Sequence, residues 1–269
     1  MSQPDVLPRS LLWKRRFGAI WQGMPGGPNR RVILIYHAVG SGPQSLSVDH
    51  FSQQLEWLHT HARVESLDSL LENTDSNGLH VALTFDDGYQ SVAEVAAPLM
   101  AEYGFSGTVY LTSGEISEQE PQPARPEVGH LPGEYFLTWD GVRKLKRIGW
   151  TIGSHGVDHL DLTTLPESEI LYQLAESRRT LAAQVEADCR HFCYTWGRHN
   201  KRVQSLVARA GYATAVAAHH QALKSNCSAT ALPRLCVREN YTLQDFANML
   251  QGNWDFLGIY HKLRRIFER

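Results

Sequence analysis

Short apolar segments alternate with helix-like segments along most of this 269-residue chain, and this alternation is the strongest constraint on its fold. Each apolar segment is bounded by glycine, proline or polar residues, as expected for strands that are buried on both faces. Seven such strands separated by helices predict an α/β fold with a parallel, barrel-like sheet. The predicted strands are residues 32–38, 80–86, 106–112, 150–155, 190–196, 212–218 and 231–237.

Helical patterns lie between the predicted strands. Gly104 is a typical helix stop, Thr138 is a typical N-cap, and Pro166 is suited to a helix start. The segment 114–136 is polar and rich in proline, which predicts a long loop bordering an active site. The predicted helices are residues 48–61, 91–104, 138–149 and 166–187.

Charge and hydrophobicity restrict the partners and the location that we expect. The net charge of −2 gives no reason to expect binding to nucleic acid. The N-terminal residues show no secretory apolar run, and no stretch reaches the roughly 20 apolar residues of a membrane span, so we expect a soluble cytoplasmic protein. Segments 11–21 and 256–269 mix aromatic residues with lysine and arginine. They favour packing on the domain, with peripheral contact to the inner membrane as the alternative.

Polar residues follow several of the predicted strands. His37 ends the first strand, Asp86 and Asp87 end the second, and His155 ends the fourth. In a parallel barrel, functional groups gather at the carboxyl ends of the strands. Adjacent acids at the end of a buried strand also need a partner, which a metal or a reacting group can provide.

The spacing of two histidines indicates what that partner is. His155 and His159 are four residues apart, which places both imidazoles on one face of a helical turn, close enough to share a metal. Two histidines and one carboxylate leave open positions for Zn²⁺ chemistry, and the same set can hold Fe²⁺ for oxygen chemistry. The second acid favours hydrolysis, because one carboxylate can bind the metal while the other serves as a general base.

Three ordered motifs, LTFDDGY, SHGVDH and FCYTWGRHN, resemble those of the metal-dependent polysaccharide deacetylases, the NodB-homology family 4 carbohydrate esterases. The resemblance extends over about residues 31–240. It implies a distorted (β/α)7 barrel that hydrolyses the N-acetyl group of a sugar. It also implies that Asp87, His155 and His159 are the metal ligands and that Asp86 is the catalytic base.

The third motif departs from the family pattern. The usual arginine is missing from Cys193-Tyr194-Thr195-Trp196, and Trp196 stands where an aromatic residue contributes its backbone N–H to the oxyanion hole. The LPR sequence at 232–234 resembles that of an exopolysaccharide-modifying subgroup, which implies that Arg234 orients Asp86 in place of the missing arginine.

The general acid is the least determined role. The family's late LxH motif is absent, but Tyr36-His37 resembles the early YH motif of the same subgroup, which implies that His37 is the acid. His219 and His220 are the other candidates. Trp196, Tyr89 and Trp139 are candidates for stacking on sugar rings, with packing in the core as the default expectation for each.

We therefore expect a metal-dependent hydrolase that removes an N-acetyl or N-acyl group from an amino sugar in a polysaccharide or glycan precursor. Zn²⁺ is the expected metal, with Co²⁺, Ni²⁺ and Fe²⁺ as alternatives. Alternative functions are deacylation of a small or lipid-linked amino sugar, and carbohydrate binding without turnover. The expected organisation is an N-terminal extension (1–30), a catalytic domain (31–240) and a C-terminal helical tail that packs on the domain (241–269).

Overall fold

A parallel sheet curled into a barrel dominates this computed structural model, which describes residues 9–21, 29–40, 42–73 and 77–260. The described strands are β1 (Arg30–Tyr36), β2 (Arg63–Val64), β3 (Leu79–Phe85), β4 (Thr108–Leu111), β5 (Thr151–Ser154), β6 (His191–Cys193), β7 (Thr214–Val216) and β8 (Leu235–Cys236). They follow the order β7-β6-β5-β4-β3-β1-β8, and β2 pairs with β3 outside this path. A parallel bridge between Val216 and Leu232 links the two edges. The predicted distorted (β/α)7 barrel is confirmed.

The pairing of β1 with β3 positions the residues that follow both strands. Their parallel register runs from Arg30 opposite Leu79 to Tyr36 opposite Phe85, and both strands are almost entirely buried. The Tyr36 and Phe85 rings stack with centroids 5.3 Å apart. Because the two strands end in register, the residues that come next, at positions 37 and 86, emerge side by side at the barrel mouth.

Helices cover the outside of the sheet. They are α1 (Arg9–Trp21), α2 (Val48–His61), α3 (Leu67–Glu72), α4 (Ala97–Ala101), α5 (Trp139–Arg147), α6 (Glu167–Val185), α7 (Lys201–Arg209) and α8 (Leu243–Leu250). Thr138 caps α5 as predicted, since its side chain accepts a hydrogen bond from the Gly141 N–H. Helix α6 begins after Pro166 and ends at Glu186, which adopts a left-handed conformation.

The helix predicted over residues 91–104 is not one regular α-helix. A π-helical segment, Val92–Ala96, leads into the short α4, and a turn with Gly104 at φ 70° follows. Pro98, inside this segment, lacks a backbone N–H and its ring would clash with the carbonyl four residues earlier in an α-helix. A wider π turn relieves that clash, so the proline explains why the predicted helix contains a π-helical segment.

The two ends of the described chain pack on each other beside β8. Leu11 of α1 is buried in the main core, and Lys14 donates a hydrogen bond to the Tyr241 hydroxyl. Arg15 forms an ion pair with Asp245 of α8. Parts of the predicted N-terminal extension and C-terminal tail, residues 1–8, 22–28 and 261–269, lie outside the described residues. Among the described helices, none combines the length and apolar character that crossing a bilayer requires.

Candidate metal centre and adjacent acid

Three of the predicted site residues converge on one point at the barrel mouth. Asp87 Oδ1 lies 3.3 Å from His155 Nε2 and 3.3 Å from His159 Nε2. All three side chains are buried, and their ligand-type atoms lie within 4.8 Å of one another. Two imidazole nitrogens and a carboxylate oxygen at this spacing form a donor set of the kind that catalytic Zn²⁺ sites use.

Hydrogen bonds on the far side of each imidazole orient the donors. His155 Nδ1 lies 2.8 Å from the Cys193 carbonyl oxygen, and His159 Nδ1 lies 2.9 Å from the Val128 carbonyl oxygen. A carbonyl can only accept, so each Nδ1 carries a proton, and each Nε2 faces Asp87, where it can bind a metal once it is deprotonated. This arrangement is typical of metal-ligating histidines. The residues therefore fit a divalent metal.

The backbone at the site is unusual in a way that explains how neighbouring residues acquire different roles. Asp87, His159 and Trp196 have positive φ angles of 71°, 57° and 53°. Among the described non-glycine residues only Glu186, at a helix end, shares this property. Left-handed conformations of non-glycine residues are costly and cluster at functional sites. At Asp87 the reversal ends the strand geometry, so Asp86 and Asp87 need not point to opposite faces.

The loop after β5 brings the two histidines together in a different way from the predicted helical turn. His155 and His159 do not lie on a helical turn, because β5 ends at Ser154 and the following residues form an irregular loop. The left-handed His159 turns its imidazole back toward His155, with ring centroids 5.2 Å apart. The helical interpretation is wrong, although the two imidazoles do meet.

Asp86 has a different partner from Asp87. Arg234 donates from Nη1 to Asp86 Oδ1 at 2.7 Å and from Nη2 to Asp86 Oδ2 at 2.7 Å. Burial raises the pKa of Asp86, but the charge and hydrogen bonds of Arg234 outweigh it, and the net pKa lies below the usual value. Asp86 is therefore ionised at neutral pH, beside the three metal-ligand candidates.

Burial also raises the pKa of Asp87, but hydrogen bonds from His155 and His159 lower it well below its usual value. A second set of donor atoms, from Asp86, His155 and Cys193, lies nearby. Arg234 already donates to Asp86 and contacts the Cys193 sulfur at 3.0 Å, so a cation occupies that side. The charges thus favour the Asp87 set as the metal position.

The remaining predicted residues divide into two groups around this centre. His37 is half-buried, and the carbonyl of Tyr36 just before it accepts a hydrogen bond from the Asp86 N–H at 3.0 Å, so it lies near both aspartates. Trp196, on a 3₁₀ turn just after β6, packs edge-on against His159 with centroids 5.2 Å apart. His219 instead contacts His199, with Nε2 atoms 3.2 Å apart, and His220 follows it in the loop after β7.

Of the three candidate stacking aromatics, only Trp196 is accessible, with 46% of its surface exposed. Tyr89 and Trp139 are buried, as the default of core packing expects, so neither offers a face to a sugar ring. Tyr89 instead stabilises the neighbouring loop. Its hydroxyl accepts a hydrogen bond from the Leu131 N–H at 2.7 Å, which holds the segment 114–136 against the site.

One buried residue at the site was not predicted. His130 is almost fully buried, its ring centroid lies 4.3 Å from that of His159, and neither ring nitrogen has a hydrogen-bond partner among the described residues. Burial lowers the pKa of His130 to about 4. The only signal in the sequence is its position in a loop expected to border the site.

The fold and the site together define a parallel α/β barrel. At its strand ends it has a candidate metal centre and, beside it, an aspartate that an arginine holds in place. A family model described as polysaccharide deacetylase matches residues 73–215, just over half of the chain. The chain belongs to the polysaccharide deacetylase family, as its motifs predicted. Deacetylation of a carbohydrate is therefore its reaction class.

Similar proteins support the same family and fold. The YxkH protein of Bacillus subtilis is 26% identical over 217 residues, which cover 78% of this chain and 72% of YxkH. The deacetylase PplD of Streptococcus pyogenes, solved with acetate, superposes with a TM-score of 0.70 at 20% identity, covering 83% of this chain and 99% of PplD. IcaB from Ammonifex degensii gives 0.69 at 20% identity, covering 84% and 97%. At these identities the two structures establish the fold.

Proposed function

We propose that this protein is a metal-dependent hydrolase that removes the N-acetyl group from an amino sugar in a polysaccharide or glycan precursor. The observation that carries the proposal is the meeting of Asp87, His155 and His159 beside an ionised Asp86. Binding a sugar would not require an acid held ionised next to a metal position. This argues against the alternative of a carbohydrate-binding protein without turnover.

Asp87, His155 and His159 would hold the divalent metal, for which Zn²⁺ suits the two nitrogen donors and one oxygen donor. Co²⁺, Ni²⁺ and Fe²⁺ suit the same donors. Bound there, the ion would act as a Lewis acid that polarises the acyl carbonyl and makes water more acidic.

The other residues of the site then move protons and stabilise charge. Asp86 takes a proton from the water that attacks the acyl carbon, and Arg234 keeps Asp86 ionised and oriented for that step. The Trp196 backbone N–H stabilises the oxyanion. His37 gives a proton to the amine nitrogen as the C–N bond breaks, and the products are acetate and a free amino sugar.

The test combines metal analysis of the purified full chain with measurement of acetate release. We expect about one divalent ion per chain, and acetate release from N-acetylated oligosaccharides that a chelator stops and added metal restores. His155→Ala should lose the metal, whereas His50→Ala, an exposed histidine on α2, should keep it. Absence of bound metal together with chelator-resistant release would refute the metal-dependent mechanism.

The proposal also covers the form of the substrate and the location of the protein in the cell. Lipid-linked or small amino sugars are the second candidate substrates, and the same acetate assay on both classes separates them from polymers. A cytoplasmic role in exopolysaccharide biosynthesis, as the subgroup motifs imply, is tested by fractionating cells that produce the protein. Recovery only from the culture medium or the cell exterior would contradict it.

A further inference from the structure

Helix α1 directs the charged side chains of Lys14 and Arg15 toward the domain. Lys14 Nζ donates to the Tyr241 hydroxyl at 2.8 Å. Arg15 donates to both carboxylate oxygens of Asp245, whose side chain is only 2% exposed. A helix on the surface of a soluble domain normally directs its apolar side toward the core and its charged side toward water.

The outward side of α1 is correspondingly apolar. Leu12 is 44% exposed, Phe17 is 48% exposed and Ile20 is 81% exposed. Glycine at position 18 lets the inward side approach Trp254 closely, because a side chain there would meet the indole ring at 2.8 Å. The close packing therefore commits α1 to this orientation, which leaves Leu12, Phe17 and Ile20 exposed.

The last described residues extend the same surface. Ile259 is 53% exposed and Tyr260 is 46% exposed, and the Tyr260 ring lies 5.4 Å from that of Trp13 on α1. We call the five exposed residues of the two ends the terminal apolar face. They are five of the eleven large hydrophobic residues that are exposed in the described chain, so their grouping is not the ordinary scatter of single residues. The members are Leu12, Phe17, Ile20, Ile259 and Tyr260.

Positive charge on α1 and in the sequence that follows Tyr260 indicates what covers this face. Arg16 is exposed on the same side of α1. The chain continues from Tyr260 into the sequence HKLRRIFER, which has four lysine or arginine residues and one glutamate in a protein with a net charge of −2. Apolar residues together with flanking lysine and arginine are the combination that binds anionic lipid surfaces. A second copy would bring like charges together.

We propose that the terminal apolar face docks this protein on an anionic lipid surface as a peripheral contact. Docking through this face does not depend on the catalytic proposal.

The experiment is cosedimentation of the full chain with lipid vesicles. We expect binding to phosphatidylcholine vesicles that contain phosphatidylglycerol, weaker binding as salt is raised, and little binding to pure phosphatidylcholine. Phe17→Ser combined with Ile20→Ser should lower the partition coefficient at least about tenfold, since two apolar side chains no longer enter the interface. The same variant should release acetate from a soluble substrate at the normal rate.

The matched control is Ile148→Ser combined with Tyr172→Ser, because these residues are 59% and 56% exposed away from α1. It should bind vesicles as the unmodified protein does, and so should Asp86→Asn, even if the catalytic proposal fails. If the α1 double variant does not fold, Arg16→Glu is measured in its place. It should weaken binding to the vesicles that contain phosphatidylglycerol and leave binding to pure phosphatidylcholine unchanged.

Two results would overturn the proposal. One is vesicle binding that the α1 variants leave unchanged or that the control lowers equally. The other is a dimer in lipid-free solution that the α1 double variant converts to a monomer, which would show that the face binds a second copy.

Discussion

Two arginine–aspartate pairs in this protein have nearly the same geometry and different consequences. Arg234 and Asp86 pair at the barrel mouth, and Arg15 and Asp245 pair between α1 and α8. Both are bidentate, with the shortest contacts at 2.7 Å and 2.5 Å. Both lower the pKa of an aspartate that burial alone would raise.

The difference lies in what else each carboxylate contacts. Asp245 also accepts hydrogen bonds from the Thr242 backbone N–H and hydroxyl, in a capping box at the start of α8. The acceptor atoms of Asp245 therefore stabilise the start of α8 and its contact with α1. Asp86, besides its pair with Arg234, accepts from the Cys193 thiol at 3.4 Å and lies within 4.8 Å of a donor atom of His155, one of the candidate metal ligands. A buried ion pair does not by itself indicate function. What indicates function is the set of other groups that the paired carboxylate faces.

The largest expected effect comes from Asp86→Asn. The amide keeps the shape of the side chain but cannot take a proton from water, so turnover should fall below detection while bound metal is retained. It also leaves the buried Arg234 charge unpaired, which should lower the free energy of unfolding by about 3–5 kcal/mol. Acetate release, metal content and urea unfolding measure the three effects. Activity close to normal would remove the base assignment.

His37→Ala should have the next largest effect. Loss of the proposed general acid should lower kcat by about 10²–10⁴-fold and leave metal content unchanged. A substrate with a better leaving group should recover part of the rate, because its amine needs less help from an acid. An unchanged kcat would transfer the role to another group, and His219→Ala and His220→Ala are the variants to measure next.

Arg234→Lys should have a smaller effect on the same pair. Lysine keeps the positive charge but cannot form two parallel hydrogen bonds, so kcat should fall by about 10- to 100-fold. Arg234 lowers the pKa of Asp86 against the effect of burial, so its loss raises that pKa. Asp86 would then lose its charge at a higher pH, and the acidic limb of the pH–rate profile should move upward. A lower rate with an unmoved limb would contradict the positioning role.

Much of the fold could be predicted because both faces of the strands are buried. The seven apolar segments correspond to β1 and to β3 through β8, since a strand covered on both faces has no polar alternation to obscure it. The two-residue β2 was missed, because two residues carry no periodicity. The helices α3 and α7 were missed as well, and the π-helical segment depends on the local effect of Pro98.

The parts of the site that short motifs specify could be predicted from the sequence. The parts that depend on tertiary contacts could not. Adjacent acids and paired histidines are visible in one segment each. The left-handed His159 is held by the Val128 carbonyl, 31 residues away in the chain, so local spacing could not give its conformation. The packing of His130 on His159 is equally a product of loop placement.

The smallest expected effect tests the structural pair with Asp245→Asn. The amide keeps an acceptor for the cap but loses the charge that pairs with Arg15. Kinetic constants should not change, and the free energy of unfolding should fall by about 1 kcal/mol at neutral pH, as for a partly exposed pair.

The pH dependence of that loss distinguishes a charge effect from damage to packing. Burial raises the pKa of Asp245, but the hydrogen bond from Arg15 and those from Thr242 lower it below the usual value. A lowered folded-state pKa stabilises the protein above the unfolded value of about 3.9, and the stabilisation disappears as the pH falls through the folded value. The difference in unfolding free energy between protein and variant should therefore be constant near neutral pH and vanish in acid. A difference that persists in acid would mean that the introduced amide disturbs the cap, and that the pair at α1 contributes packing rather than charge.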